Sequence, residues 1–82
     1  MPSIEMVSDH ACLLRFSEII NEQVSNQIAL VTSYLKVLPG IVDLVPSYTT
    51  LLVVFDGDHF DRYAICKTIR DTITEIDPEQ SL

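Results

Sequence analysis

Residues 45–56 read VPSYTTLLVVFD, and they place a proline and four hydroxyl-bearing residues directly before five consecutive apolar residues. A strand with one buried face alternates apolar and polar side chains. Because no alternation remains from Leu51 to Phe55, this strand is predicted to carry apolar side chains on both faces. The polar residues before it, 46–49, have the composition of a turn that leads into the strand.

The chain on either side of this stretch repeats one plan twice. Short runs rich in β-forming residues predict strands at 4–7 and 11–16, joined by Ser8-Asp9-His10, and at 41–45 and 50–55. Each pair of strands is followed by a segment with apolar residues at helical spacing. The predicted element order is therefore ββαββα.

Helices are predicted near 21–38 and 59–76. Asn21 and Asp58 occupy the positions of N-cap residues, and Pro39-Gly40 is expected to stop the first helix. Asp77-Pro78 is expected to end the second helix. The residues after it, 78–82, are interpreted as a tail or the start of a linker to an absent second domain.

The fold class is predicted to be α+β, a two-layer α/β sandwich whose four-stranded, largely antiparallel sheet carries both helices on one face. The domain is expected to comprise residues 1–77. Its inner sheet face is predicted to contain Cys12, Leu14, Phe16, Val42, Leu44, Leu51, Val53 and Phe55. Its outer face is predicted to contain Ala11, Leu13, Arg15, Ile41, Asp43, Val45, Leu52 and Val54.

The outer face is mostly apolar, and large exposed apolar patches mark interaction surfaces. A second apolar row on the first helix, formed by Leu30, Tyr34 and Val37, favours the same interpretation. The alternative is that the two helices straddle the sheet, which would bury both faces without a partner.

Composition narrows the classes of function. The 82 residues are enough for one domain, and the 48% hydrophobic content is ample for a folded core. The net charge of −7, with only five basic residues, argues against nucleic acid or an anionic membrane as a partner. The N-terminus lacks the basic region of a signal peptide and no apolar run is long enough to span a membrane, so a cytoplasmic location is expected.

Candidates for chemistry are few. The sequence contains no Gly-rich phosphate loop and no nucleophile motif. His10 lies beside Asp9, and His59 lies beside two acids, so either is a candidate base oriented by a carboxylate; both also suit an ordinary turn or helix start. The acids Asp56, Asp58 and Asp61 lack the bidentate glutamate of a calcium loop. No catalytic residue, metal or cofactor is therefore expected.

Cys12 and Cys66 are too few and too far apart in the sequence for a disulfide framework or a zinc site. Each falls on an apolar stripe, and both are interpreted as reduced core thiols.

The residues predicted to bind a partner are Pro46, Ser47, Tyr48, Thr49, Thr50, Leu52 and Val54. Proline limits the conformations of the link, tyrosine suits an interface hot spot, and the two aliphatic residues supply apolar area. The competing interpretation is that the Ser and Thr side chains only bond their own backbone in a turn.

Two motifs resemble a known family. The run 41–56 is IVDLVPSYTTLLVVFD, and it resembles the motif G-[VI]-x-[DE]-x-[VI]-P-x-Y-x-S-L-x-V-x-[YF]-D-P. This motif is found in the bacterial family that contains the kinase A inhibitor and the B subunit of 5-oxoprolinase. Members of the family are also called allophanate hydrolase subunit 1. The run 8–16, SDHACLLRF, followed by NEQV, resembles that family's opening. The resemblance extends from about Ile4 to Ile76. The chain departs from the family's motifs at three positions: Ser8 replaces the usual Gly, Thr50 replaces Ser, and Gly57 replaces Pro.

The resemblance implies a small N-terminal α/β domain that precedes a cyclophilin-like barrel. It also implies two alternative roles. One is a non-catalytic interaction domain like that of a histidine-kinase inhibitor, with a sensor histidine kinase as partner. The other is a fragment of the 5-oxoprolinase B subunit, which acts with the C subunit of that enzyme in the ATP-dependent conversion of 5-oxoproline to glutamate. A homodimer through the apolar sheet face is a further expectation.

Overall fold

The computed structural model describes residues 3–76. Its elements follow the predicted ββαββα order, with bounds β1 Ser3–Ser8, β2 Ala11–Arg15, α1 Glu22–Leu35, β3 Ile41–Pro46, β4 Thr50–Phe55 and α2 Arg62–Ile76. The expected end of the second helix at Asp77-Pro78 and the tail 78–82 lie outside the described residues. No helix among those described combines the length and the apolar character that crossing a membrane requires.

The four strands form one antiparallel sheet in the order β1-β2-β4-β3. The two central strands are β2 and β4, and each is paired on both sides. The apolar run of β4 supplies the core on one sheet face and apolar side chains on the other. Leu51, Val53 and Phe55 are buried on one face, while Leu52 and Val54 are half-buried on the other.

Both helices lie on the same face of the sheet, as predicted. They pack against each other and against the inward side chains of the sheet in a single core. The alternative with the helices on opposite faces is therefore wrong. The buried core consists of Cys12, Leu14, Val24, Ile28, Val31, Leu35, Leu51, Val53, Phe55, Ile65, Ile69 and Ile73.

The start of β3 departs from the predicted alternation. Ile41 lies opposite Phe55 and Asp43 lies opposite Val54, so Val42 is an extra residue in a β-bulge. Ile41 consequently packs against the core, whereas Val42 is 65% exposed. The prediction had assigned these two residues to the opposite faces, because a strict period of two takes no account of a bulge. From Leu44 onward the predicted alternation holds.

The first helix begins where its cap was predicted. The side-chain oxygen Oδ1 of Asn21 accepts a hydrogen bond from the backbone N–H of Val24 at 2.8 Å. The helix ends at Leu35, three residues earlier than expected, and Gly40 then turns the chain with a φ of 89°. Only glycine adopts this backbone conformation without strain.

The second helix begins at Arg62, so the prediction that Asp58 caps it is wrong. The preceding loop is organised by Asp56 instead. Its Oδ1 accepts hydrogen bonds from the backbone N–H groups of Asp58 at 3.1 Å and His59 at 3.3 Å. These bonds hold a turn over residues 57–60, and the helix begins after it.

Candidate functional site

The sheet face that points away from both helices is called here the outer face. One row of side chains crosses it through all four strands, because Glu5 lies opposite Leu13, Leu13 opposite Leu52, and Leu52 opposite Val45. In the neighbouring row, Val54 lies between Ala11 and Asp43. Cross-strand neighbours are close enough to contact one another, so these rows form a continuous surface.

The centre of the outer face is apolar and its margin is polar. Leu13, Leu52 and Val54 are half-buried by their neighbours, and Val45 on the edge strand is 48% exposed. The charged side chains of Glu5, Arg15 and Asp43 lie around them. An apolar centre inside a polar rim is the usual composition of a protein–protein interface.

The link between β3 and β4 is held by backbone hydrogen bonds. The N–H of Ser47 donates to the carbonyl oxygen of Thr50 at 2.8 Å, and the N–H of Phe16 donates to that of Thr49 at 2.9 Å. The second bond joins the link to the end of β2. Within residues 3–76, no side-chain hydroxyl of residues 47–50 forms a hydrogen bond. The link therefore does not depend on its Ser and Thr side chains.

The predicted partner-binding residues fall on two surfaces. Thr50, Leu52 and Val54 lie on the outer face, and Tyr48 projects from the tip of the link with 70% of its surface exposed. Pro46 lies opposite Leu51 and therefore on the helix side of the sheet. There, Pro46 and Ser47 line a groove of about 380 Å³ against α1, whose other residues include Ser25, Ala29, Thr32 and Lys36.

Two residues that belong to the apolar row were not among the predicted binding residues. Leu13 and Val45 flank Leu52 directly on either side. Both had been assigned to the outer face from their alternation, but only the strand order makes them neighbours of Leu52. The second apolar row predicted for the first helix is exposed, with Leu30 and Tyr34 on α1 and Val37 in the segment that follows it.

A polar cleft of about 650 Å³ lies where the β1–β2 turn, the end of β4 and the start of α2 meet. His59 Nδ1 lies 2.7 Å from Asp56 Oδ2, and Arg62 donates to Asp9 Oδ1 at 3.1 Å. The hydrogen bond from His59 is the main cause that lowers the pKa of Asp56 below its ordinary value, with further help from the N–H groups of Asp58 and His59.

The two candidate histidines do not form the predicted pairs. His59 contacts Asp56 rather than Asp58 or Asp61, and His10 is an exposed turn residue. Because the Asp56–His59 pair is largely exposed, its ionic attraction is screened by water. In the part of the chain from 3 to 76, no group of three or more His, Cys, Asp or Glu side chains is placed to hold a metal ion.

Comparison with known proteins relates this architecture to a family. Over 55 residues the chain is 36% identical to the B subunit of 5-oxoprolinase from Bacillus subtilis (strain 168), an alignment that includes 65% of this chain and 23% of that protein. The chain thus spans about a quarter of the length of this curated relative.

Two solved structures share the fold. The N-terminal domain of the histidine kinase inhibitor KipI from Bacillus subtilis matches with a TM-score of 0.72 and 27% identity over 96% of this chain and 92% of that one. A conserved uncharacterized protein from Pyrococcus horikoshii matches with a TM-score of 0.71 over 89% of this chain and 36% of that chain. At 24% identity, the second likeness shows the fold alone.

The family assignment rests on a match that extends over residues 2–82. It agrees with the motifs at 8–16 and 41–56 and with the structural similarity to the kinase inhibitor's N-terminal domain. The resemblance inferred from the sequence is confirmed: this chain belongs to the family of the carboxyltransferase domain, subdomain C and D.

Proposed function

We propose that this chain is a non-catalytic docking domain that binds a protein partner through the outer face and the tip of the β3–β4 link. The observation that carries the proposal is the apolar row Leu13–Leu52–Val45, which both helices leave uncovered. Full burial of one such side chain stabilises a complex by about 1.5–3 kcal/mol.

The rigidity of the link supports the same proposal. Pro46 restricts its own φ, and the hydrogen bond from Phe16 to Thr49 ties the link to β2. A surface that is already ordered loses little conformational entropy when a partner binds. Tyr48 then contributes a large amphipathic side chain, of the type enriched at interface hot spots.

The partner that we propose first is a sensor histidine kinase. Support comes from the similarity to the N-terminal domain of a histidine kinase inhibitor, which this chain matches over nearly its whole length. The chain carries a net charge of −7, so a partner surface with basic residues around an apolar centre is the best complement.

A second candidate is a docking role within a 5-oxoprolinase assembly. It is supported by the 36% identity to the 5-oxoprolinase B subunit over 55 residues. In this case the same surface binds another part of the enzyme, such as its C subunit, and the chemistry belongs to the assembly rather than to this domain.

One binding experiment separates the two candidates. The purified chain is titrated by calorimetry against the helical dimerisation domain of a sensor histidine kinase and, separately, against the 5-oxoprolinase C subunit, both from the chain's own organism. Saturable binding to the kinase domain, with inhibition of kinase autophosphorylation, supports the first candidate. Binding to the oxoprolinase component without binding to the kinase supports the second.

Two results count against the docking proposal itself. One is the absence of binding to either protein at concentrations up to about 1 mM, which corresponds to less than about 4 kcal/mol of binding free energy. The other is turnover of ATP or 5-oxoproline by the purified chain that persists through successive purification steps. The second result would replace a docking role by a catalytic one.

A further inference from the structure

Three sulfur atoms meet at the seam between α2 and the first two strands. Met6 on β1 and Cys12 on β2 are direct cross-strand partners. Cys66 on α2 donates its S–H to the thioether sulfur of Met6 at 3.4 Å, although the two residues are 60 positions apart in the sequence. Both cysteines are free thiols.

The Cys12 and Cys66 thiols are also neighbours. The pKa of Cys12 is raised to about 12, chiefly by burial in the core and to a lesser extent by the neighbouring Cys66 thiol. Cys12 is therefore protonated in the resting state, and Met6 links it to Cys66, because Met6 is the cross-strand partner of Cys12 and contacts the Cys66 sulfur. The prediction from sequence treated the two as separate core residues, since only the packing of α2 on β2 brings them together.

The two thiols differ in access to solvent. Cys12 is fully buried, with 0% of its surface exposed, whereas Cys66 is only partly buried. Redox-sensor cysteines are accessible to solvent and are often placed next to a second, resolving cysteine.

We propose that Cys66 and Cys12 form a redox-sensitive pair, in which a hydroperoxide oxidises Cys66 and Cys12 then closes a disulfide between α2 and β2. In the first step the Cys66 thiolate attacks a peroxide oxygen, an S–O bond forms and the O–O bond breaks. Cys66 becomes a sulfenic acid and the peroxide is reduced to an alcohol or, from hydrogen peroxide, to water.

In the second step the Cys12 sulfur attacks the Cys66 sulfur. The S–S bond forms, the S–O bond breaks, and the departing hydroxide takes the proton of Cys12 to give water. Two thiols and one hydroperoxide thus yield one disulfide, one alcohol and one water. The sulfur atoms must approach to about 2.05 Å, so α2 is drawn toward β2.

The disulfide joins residues that are far apart in the chain, and this separation predicts its effect on stability. A long closed loop restricts the unfolded ensemble, which stabilises the folded state. For a domain of this size, an increase of about 10 °C in Tm is expected. The outer face lies on the opposite side of the sheet, so the oxidised form is expected to keep it exposed.

The test treats the reduced chain with a few molar equivalents of hydrogen peroxide at pH 8. The expected result is a monomer that has lost two hydrogen atoms by mass, that regains them with dithiothreitol, and that melts higher before reduction. Trypsin cleaves after Arg15, Arg62 and Lys67, so the expected linked peptides are 1–15 and 63–67.

Three variants separate the roles of Cys12, Cys66 and Met6 in the oxidation. Cys12→Ala keeps the core apolar and is expected to stop at the Cys66 sulfenic acid, which dimedone traps. Cys66→Ala is expected to leave Cys12 unmodified, because that thiol is buried. Met6→Leu removes the thioether and is expected to form the disulfide as the wild type does.

Four results would overturn the proposal. They are oxidation of the wild type at Met6 alone, formation of intermolecular dimers alone, irreversible sulfinic acid without loss of two hydrogens, and oxidation of Cys66→Ala as fast as the wild type. The first three are read from the wild-type chain, so they decide the question even where a variant fails to fold.

Discussion

Leu13 on β2 and Leu52 on β4 lie directly opposite each other in the two central strands, on the sheet face that neither helix covers. This pairing explains why residues 51–55 do not alternate between apolar and polar. The helix side of β4 needs apolar residues for the core, and the other side contributes to an apolar outer face. The absence of alternation is therefore a property of that second face, which we propose to be the docking surface.

We predict that Tyr48→Ala and Leu52→Asp each weaken partner binding at least tenfold, or by about 1.4 kcal/mol. The first removes the exposed aromatic at the tip of the link, and the second places a charge at the centre of the apolar row. Calorimetric titration measures the affinity, and circular dichroism checks that each variant is folded.

Val37→Asp, in the segment that follows α1, is the matched control for these two variants, because Val37 is also an exposed aliphatic residue but lies in the helical layer. It is expected to bind like the wild type. A loss of binding in Val37→Asp alone would place the interface on the helical layer. If Tyr48→Ala and Leu52→Asp both unfold, Tyr48 and Leu52 are structural residues.

We predict that Gly57→Ala destabilises the domain by about 1–3 kcal/mol through overpacking. A Cβ at Gly57 would clash with the backbone carbonyl oxygen of Asp9, and backbone atoms cannot move aside as a flexible side chain does. The free energy of unfolding is measured by urea denaturation. Asn26→Ala, at an exposed position on α1, is the control and is expected to change stability by less than about 0.5 kcal/mol.

An unchanged urea midpoint for Gly57→Ala would show that the β1–β2 turn moves away from the loop at little cost. In that case the close approach of Gly57 to Asp9 does not constrain the fold.

The Asn21 cap provides a local test of stability. Asn21→Ala removes the acceptor for the Val24 N–H and is expected to cost about 0.5–2 kcal/mol, which lowers Tm by several degrees. Asn21→Asp retains an oxygen acceptor and is expected to stay within about 0.5 kcal/mol of the wild type. Thermal unfolding followed by circular dichroism measures both. Equal losses in the two variants would argue that the Asn21 side chain acts other than as a cap.

The Asp56–His59 contact predicts how stability depends on pH. Because the pKa of Asp56 is lower in the folded state than its ordinary 3.8, the unfolded chain binds a proton first as the pH falls. The contribution of Asp56 is therefore complete well above pH 3.8 and is lost as the pH falls through the lower, folded pKa. Tm measured from pH 7 to pH 2 should show this loss in the wild type.

Asp56→Asn is the matched variant, since its amide oxygen can still accept the N–H groups of Asp58 and His59 but carries no charge. It is expected to be less stable than the wild type at pH 5, with a difference that disappears at pH 2. A constant difference across this range would mean that charge at Asp56 is not the cause.

Much of the fold follows from local patterns that a sequence displays directly. The Asn21 cap and the stripe Val24, Ile28, Val31 and Leu35 act over three or four residues, so α1 was predictable. The same holds for the two strand pairs, whose turns are short. The apolar outer face was also predictable, because residues 51–55 showed it without knowledge of the neighbouring strands.

Features that depend on contacts between distant residues were not predictable in this way. The bulge at Val42 shifts the alternation of β3, and it is recognised only from the pairing with β4. The aspartate that organises the loop before α2 is Asp56 rather than Asp58, since its position at the end of β4 directs its carboxylate at the next turn. The helix-forming pattern of the sequence does not by itself show which of these two aspartates organises the loop.

The sequence by itself determined the element order and the apolar character of both faces of β4, because side-chain periodicity and capping are properties of neighbouring residues. That both helices cover the same sheet face, rather than straddle the sheet, was decided by the tertiary structure. Only the tertiary structure decided which residues meet. The strand order β1-β2-β4-β3 places Leu13 and Val45 on either side of Leu52, and the packing of α2 on the sheet brings Cys66 to Cys12 and Met6. The physical reason is that these contacts close long loops, and their partners are selected by packing in the whole core rather than by any local propensity.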